Sequence, residues 1–430
     1  MKQYLKKSIA AALCLLLIAG ATGCATAASE TADAPQTAAA GAARQVSAVS
    51  ATAPSTGIGS SNAAVSTGTP IFTKSDLFSD RDLQQEADLT DAATYTLSDG
   101  QDVTIAKAGV YVLTGSAQNA TVYVTAGDTD KVQLVLDGLT VSNSDAPVIY
   151  VKSADKVFVT VAGDSSLSVT GAFDESDKAD GVIFSKSDLT LNGTAALTIS
   201  STENGVVGKD DLKIAGGTYV ISAKVKAIEA NDSIRVAGGV LQLTAGTDGL
   251  HAENDDNDTK GYIYVGGGSL SIQAGDDGVH AATVVQVDDG TISVTAAEGI
   301  EATYIQVNGG AITINSRDDG INAARKSGAY APTVEINGGE IAVSMTSGDT
   351  DGIDSNGDII VNGGTVSVNG SSAFDYDGSA QFNGGVIIVN GQQVDSIPNQ
   401  FGGRGGMGGW GGPGSGGGRG GFGGRGGRGG

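Results

Sequence analysis

Between residues 248 and 355, acidic side chains recur at a spacing that can bring carboxylates together. Asp248-Gly249-Leu250-His251-Ala252 returns as Asp277-Gly278-Val279-His280-Ala281 and Glu298-Gly299-Ile300-Glu301-Ala302, then as Asp319-Gly320-Ile321-Asn322-Ala323 and Asp351-Gly352-Ile353-Asp354-Ser355. If these repeats stack at the strand spacing of about 4.8 Å, equivalent positions form columns. One column holds Asp248, Asp277, Glu298, Asp319 and Asp351, with Asp375 at its end. The position three residues on holds Glu229, His251, His280, Glu301, Asn322 and Asp354, with Asp377 at its end. Stacked carboxylates cannot all stay ionised without compensation. Raised pKa values, turn amides or bound cations could each supply it. Oxygen-rich clusters suit Ca²⁺, so calcium is the expected cofactor, held by Asp248, Asp277, Glu298, Asp319, Asp351, Glu301 and Asp354. The competing reading is that Asp before Gly shapes each turn through side-chain-to-backbone hydrogen bonds. With two histidines and no accompanying thiol in the repeats, zinc is not expected. His251 and His280 read better as a stacked polar ladder or a sugar-binding pair.

Two insertions interrupt the repeat. Glu253 to Gly261 carries Asp256 and Asp258 in an order resembling the start of an EF-hand loop, but Lys260 takes a ligand position and no Glu closes it. The loop can still bind calcium or rim a groove beside Tyr262 and Tyr264. Arg325 to Pro332 offers Arg325, Lys326 and Tyr330 on the same edge. Tyrosine rings can stack on sugar faces while Arg and Lys meet uronate carboxylates; the alternative is that all are ordinary loop residues. A calcium-assisted lyase needs a cationic base beside the metal. Lys226, one repeat before Asp248, and Arg317, beside Asp319, are the candidates, and no motif selects either. Carboxylate spacing cannot support a glycosidase, because a column of acids offers every such spacing.

The elements that must position these residues are short strands. A unit of about 22 residues runs from Asp188 to Gln393, each copy having an apolar run, a Gly-Gly or Asp-Gly corner such as Gly216-Gly217 or Asp289-Gly290, and a second apolar run before the acid-Gly motif. Such a period marks a solenoid, and alternating runs such as Val240-Leu241-Gln242-Leu243 mark strands. The fold expected is all-β: a single-stranded, right-handed parallel β-helix of roughly a dozen coils. Val122-Tyr123-Val124 and Val148-Ile149-Tyr150-Val151 read as earlier, less regular coils, so one domain spans 72–397. Phe72 to Gln85 reads as a short helix capping the first coil.

The ends of the chain differ from this body. Residues 1–24 have a Lys-rich start, an apolar stretch and the ending Ala21-Thr22-Gly23-Cys24, which resembles a bacterial lipobox. Lipidation at Cys24, anchoring the protein to a membrane at the bacterial cell surface, is the expectation; ordinary secretion is the alternative. Residues 25–71 form an Ala/Ser/Thr/Gly linker and 398–430 a Gly/Arg-rich tail, both too poor in apolar residues to fold. The net charge is −23. Setting aside Lys2, Lys6, Lys7 and the four tail arginines leaves 18 basic residues against 48 acids, which argues against nucleic acid or an anionic membrane as the partner of the body.

Ala108-Gly109-Val110-Tyr111-Val112-Leu113-Thr114-Gly115, Ala146-Pro147-Val148-Ile149-Tyr150-Val151, Phe184-Ser185-Lys186-Ser187-Asp188-Leu189 and Gly208-Lys209-Asp210-Asp211-Leu212-Lys213-Ile214, followed by Gly-Gly and Asp-Gly-Ile repeats, resemble a known family. The chain is similar over about 75–395 to the carbohydrate-binding β-helix proteins of clostridia and their relatives. That resemblance implies a polysaccharide-lyase-like fold, bound calcium, and binding of cellulose-like or acidic polysaccharides without established catalysis. The function expected is therefore a monomeric, extracellular, non-catalytic polysaccharide binder. A calcium-dependent pectate-lyase-like enzyme and a structural surface adhesin are the alternatives.

Overall fold

Most repeats spend their residues on three short strands, each paired in parallel with its counterpart one repeat later. A computed structural model describes residues 68–399 other than 175 and 347–349. The leader, nearly all of the linker and nearly all of the Gly/Arg tail lie outside the described residues. The strands form two long sheets, of 24 and 12 strands, and the one described helix is the single turn Lys74–Leu77. The result is an all-β, parallel-strand, solenoid-like body.

The larger sheet carries two strands of each repeat. In one column Asp211–Ile214 pairs with Ser233–Val236, which pairs with the first part of Tyr262–Gln273. In the other, Thr218–Ala223 pairs with Val240–Ala245, which pairs with the second part of the same long strand. The smaller sheet runs from Val103–Ile105 to Ser372–Tyr376 and carries the acid-Gly motif. There the apolar residue and the alanine point inward: Leu250, Ile300, Ile321, Ala252, Ala302 and Ala323 are all essentially unexposed. The residue between them points outward, as strand alternation requires. Burial of each Val, Leu or Ile in these inner columns contributes about 1.5–3 kcal/mol.

Glycine is required at two positions of the repeat. The second residue of each of the eight corners, Gly217 to Gly385, has φ between 81° and 112°, a region costly for any residue with a Cβ. At Gly310 a Cβ would also meet the Gly290 carbonyl oxygen at 2.8 Å. The glycine of the acid-Gly motif is needed for a different reason: a Cβ on Gly249, Gly278 or Gly352 would collide with Ile272, Val294 or Val368 in the core. Asparagine precedes each of the last four Gly-Gly corners and forms a ladder, with Asn337 donating to Asn308 at 2.8 Å, Asn362 to Asn337 at 2.7 Å and Asn383 to Asn362 at 2.8 Å.

The segment expected to cap the first coil lies elsewhere. Only Lys74–Leu77 is helical, and the chain around it lies across the flank of the larger sheet. Gln306 and Gln286 bond the backbone at Thr69, Ile71 and Phe72, and Lys74 Nζ donates to the Ala237 carbonyl at 3.0 Å. Asp82, 1% exposed, receives Lys156 at 2.5 Å and Lys213 at 3.0 Å. Burial alone would raise its pKa, but the two lysines and the Ser79 amide hold the carboxyl well below its ordinary range. An outward column of the sheet carries lysines, arginine and glutamines that need this cover, which is why the segment is spent on the flank. At the other end Gln392–Val394 folds back antiparallel on Val386–Val389, and Ile397 joins the core.

Gly310→Ala is expected to lower stability by about 1–2 kcal/mol in a urea melt, whereas Thr313→Ala on the exposed face stays within about 0.5 kcal/mol; equal effects would show that the corner backbone relaxes freely. Asp82→Ala leaves two buried lysines unpaired, a loss of about 3–5 kcal/mol. It should appear as fast hydrogen exchange confined to residues 68–85, and unchanged protection there would mean the ion pair does not hold the segment.

Candidate functional site

The outward positions of the smaller sheet form one continuous column, and its chemistry changes along its length. Tyr123 pairs with Tyr150, Tyr150 with Phe184 and Phe184 with Val207. Val207 then pairs with Glu229, and the register continues through His251, His280, Glu301, Asn322, Asp354 and Asp375. The expected column is thus formed, with two corrections at its end. Asp375 pairs with Asp354 rather than closing the acid-Gly column, where Ser372 stands opposite Asp351. Asp377 lies beyond the last strand, which ends at Tyr376.

The aromatic start of the column was not anticipated. Tyr150 and Phe184 meet edge to face at 5.5 Å, and Lys152 sits 4.6 and 4.7 Å from the Tyr123 and Tyr150 ring centres. The sequence signal was present as an aromatic at the centre of successive strands, Val122-Tyr123-Val124, Ile149-Tyr150-Val151 and Ile183-Phe184-Ser185.

The middle of the column is charged but internally compensated. Glu229 receives Lys209 at 3.0 Å and Lys226 at 3.5 Å; although burial opposes it, these lysines keep the carboxyl below its usual range. The His251 and His280 rings stack 4.6 Å apart and nearly parallel, at 11°. Asp248 Oδ2 lies 2.8 Å from His251 Nδ1 but off the bond axis, so that this nitrogen makes no hydrogen bond. His280 Nδ1 bonds Asp277 at 2.8 Å and lies 2.9 Å from Glu301. Burial would lower the His280 pKa, but these two carboxylates raise it to about 9. Glu301 also takes Lys326 at 2.8 Å. Despite burial, His280 and Lys326 hold Glu301 below its ordinary pKa.

Farther along, compensation stops. Among the described residues no salt bridge reaches Glu298, Asp319, Asp354 or Asp375. Burial and neighbouring carboxylates raise Glu298 to about 7, Asp319 to about 6 and Asp354 to about 7. Asn322, 8% exposed, donates to Glu298 at 3.1 Å, while its Oδ1 has no hydrogen-bond partner. Two acid-Gly carboxylates also accept from the next repeat's amide, Asp277 N to Asp248 and Asp351 N to Asp319. The hydrogen-bonding role of these acids therefore runs between coils rather than within one turn.

The two insertions do share an edge: Ser327 Oγ donates to the Asp258 carbonyl at 2.5 Å. Asp232 anchors the first through Asn254 and Lys260. Asp256 and Asp258 stay exposed in that loop, and Asp256 rims a cavity of about 280 Å³ lined by Lys209, Lys226, Glu229, His251, Glu253 and Asn254. Arg325 is exposed, and Tyr330 lies half-buried 5.8 Å from Tyr304. The expectation that Tyr262 and Tyr264 offer sugar platforms is corrected. Both lie on the larger sheet under the 68–85 segment, Tyr262 stacked on Phe72 at 4.4 Å and Tyr264 1% exposed with its hydroxyl donating to Asp288 at 2.9 Å. Of the two candidate bases, Lys226 faces Glu229 and Arg317 donates to the Gly275 carbonyl at 2.6 Å. Glu253 and Lys209, overlooked in the sequence, face the site because the insertion begins immediately after the motif.

A family model described as carbohydrate-binding domain-containing protein matches residues 99–350 and 300–396. A carbohydrate-binding domain-containing protein of Acetivibrio thermocellus is 32% identical over 130 residues, 29% of this chain and 46% of that relative, so the match spans about half the relative's length. A solved polysaccharide lyase-like protein from C. thermocellum, a gadolinium derivative, aligns with TM-score 0.47 and 27% identity over 49% of this chain and 94% of its own.

The raised carboxyls carry a signed pH dependence. Groups whose folded pKa lies above the unfolded value near 4 hold protons that the unfolded chain gives up, so their contribution declines as pH rises from about 4 to about 7. His280 adds stability below about 6.5 that is lost as pH rises through about 9. In chelator the melting temperature should therefore fall between pH 5 and pH 8 (roughly the window these groups define), and Asp354→Asn should flatten the decline. A melting temperature that climbs across that window would refute the assignment.

Proposed function

The chain belongs to the family of carbohydrate-binding domain-containing proteins, and from that premise we propose that it is a non-catalytic polysaccharide binder of the bacterial cell surface, folded as a right-handed, single-stranded parallel β-helix. Its ligand is an acidic, pectin-like chain laid along the outward column of the smaller sheet, with calcium bridging protein and uronate carboxylates. The observation that carries this reading is the uncompensated stack of Glu298, Asp319 and Asp354 around the unpartnered Asn322 Oδ1. Every donor atom there is oxygen, the set a hard cation prefers. A bound calcium would restore ionisation of the stack and leave coordination positions for a uronate. It would thereby answer how a strongly acidic body retains an anionic chain. Asp248, Asp277 and Glu301 are weaker candidates for the same ion, since imidazole or lysine already occupies them. Asp256 and Asp258 are weaker too, being in the exposed loop. Arg325 and Lys326 on the neighbouring insertion supply cations at the edge of this face. Export with lipidation at Cys24 would place the face outside the cell.

Electrophoresis of the mature chain through gels containing polygalacturonate is the test. Retardation is expected with calcium, and loss of retardation with chelator or in Asp319→Asn/Asp354→Asn. Free migration under both conditions would sink the calcium bridge, and calcium-independent retardation by cellulosic gels would favour a neutral glucan. An unsaturated uronide absorbance that depends on Lys226 or Arg317 would instead show a lyase.

A further inference from the structure

We propose that His251, His280 and Glu253 form a binding site for one divalent transition-metal ion of the zinc class, separate from the oxygen-only stack farther along the column. One ligand atom from each of the three residues lies within 4.8 Å of the others. His251 Nε2 is already 3.3 Å from Glu253 Oε2. The two imidazoles occupy register-matched positions on adjacent strands and stack nearly parallel, so their ring edges face the same way.

The surroundings select which nitrogen is offered. Each histidine has an aspartate three residues earlier in the chain, and each aspartate lies 2.8 Å from the Nδ1 of its histidine. At His280 the hydrogen bond to Asp277 holds Nδ1 as the N–H, and at His251 the Asp248 carboxylate 2.8 Å from Nδ1 favours the same form, so that Nε2 is the nitrogen whose proton a metal would displace, the arrangement by which outer carboxylates orient metal-binding histidines. Two such Asp–His pairs one coil apart arise directly from repeating acid-Gly-apolar-His. Glu253 completes the set because the insertion starts two residues after His251.

Two histidines and a glutamate are an open zinc donor set, with a fourth position for water or an exogenous oxygen ligand. That position would face the cavity lined by Lys209, Lys226 and Asn254, where a carboxylate-bearing ligand could reach it. The absence of a third histidine, which argued against zinc from sequence, is met by a glutamate that only the fold brings in. Nitrogen donors also separate this site from calcium, which prefers oxygen.

The test is titration of the full mature chain, stripped with chelator, with Zn²⁺ by calorimetry and with Co²⁺ by visible absorption. One Zn²⁺ per chain and a d–d spectrum showing nitrogen ligation are expected. His251→Ala and His280→Ala should each abolish both. Asp248→Asn or Asp277→Asn, acting through the ring orientation, should weaken binding by roughly 10–100-fold. Asp354→Asn should leave Zn²⁺ binding unchanged while it impairs calcium-dependent retardation by polygalacturonate, so the two sites fail separately. Circular dichroism confirms that each variant is folded. No heat and no Co²⁺ spectrum in the parent chain, or Zn²⁺ affinity undiminished in both histidine variants, would overturn the site.

Discussion

Parallel pairing in register is the constraint on which everything else here rests. It places each residue about 4.8 Å from its equivalent in the next repeat, so any property written at one position is multiplied along the sheet. For apolar residues this is simple gain: Leu250, Val279, Ile300 and Ile321 build a continuous inner column with no partner to find. For glycine it allows close backbone approach at every corner. For charged residues it is a problem to be solved, because like charges are forced to within one strand spacing of each other.

The chain solves that problem differently in different places. Asparagine can stack on itself, each amide donating to the next carbonyl, and the ladder from Asn308 to Asn383 does so. Glu229 and Glu301 flank the paired imidazoles of His251 and His280 and recruit lysines from neighbouring positions, so most charges meet an opposite within the fold. On the flank, Lys156, Lys213 and Asp82 achieve the same balance by bringing a carboxylate from a distant segment.

Much of this was legible in the sequence because a solenoid obeys local rules. The period, the glycine corners and the Asp-Gly-apolar-x-Ala alternation name the inward and outward faces without any knowledge of distant contacts. The column from Glu229 to Asp354 follows from counting alone. What could not be read depends on long-range placement. Nothing local says that Phe72 stacks on Tyr262, 190 positions away, so two exposed-looking tyrosines turned out to be covered. Nothing local says that Asp82 meets Lys156 and Lys213. The shift of Asp375 into the outer column follows from the last repeat lacking the acid-Gly motif, Ser372-Ala373-Phe374 standing in its place. Glu253 was missed because insertions escape the period, and its role depends on how the loop leaves the sheet.

The outward column therefore divides into parts with different demands on a partner. In the middle, cations covalently part of the chain neutralise the acids, and the two imidazoles present nitrogen. Beyond Glu301 no salt bridge among the described residues supplies such a cation, and Asp319 and Asp354 hold their protons to higher pH instead. A protonated stack is a store of affinity: any divalent ion that binds it is opposed only by protons already loosely held near neutral pH. Fixed cations cannot be exchanged, whereas protons can. On the proposed function, Asp319 and Asp354 are thus the place where an exogenous cation would change the surface most, converting an acidic stripe into one that could hold another anion.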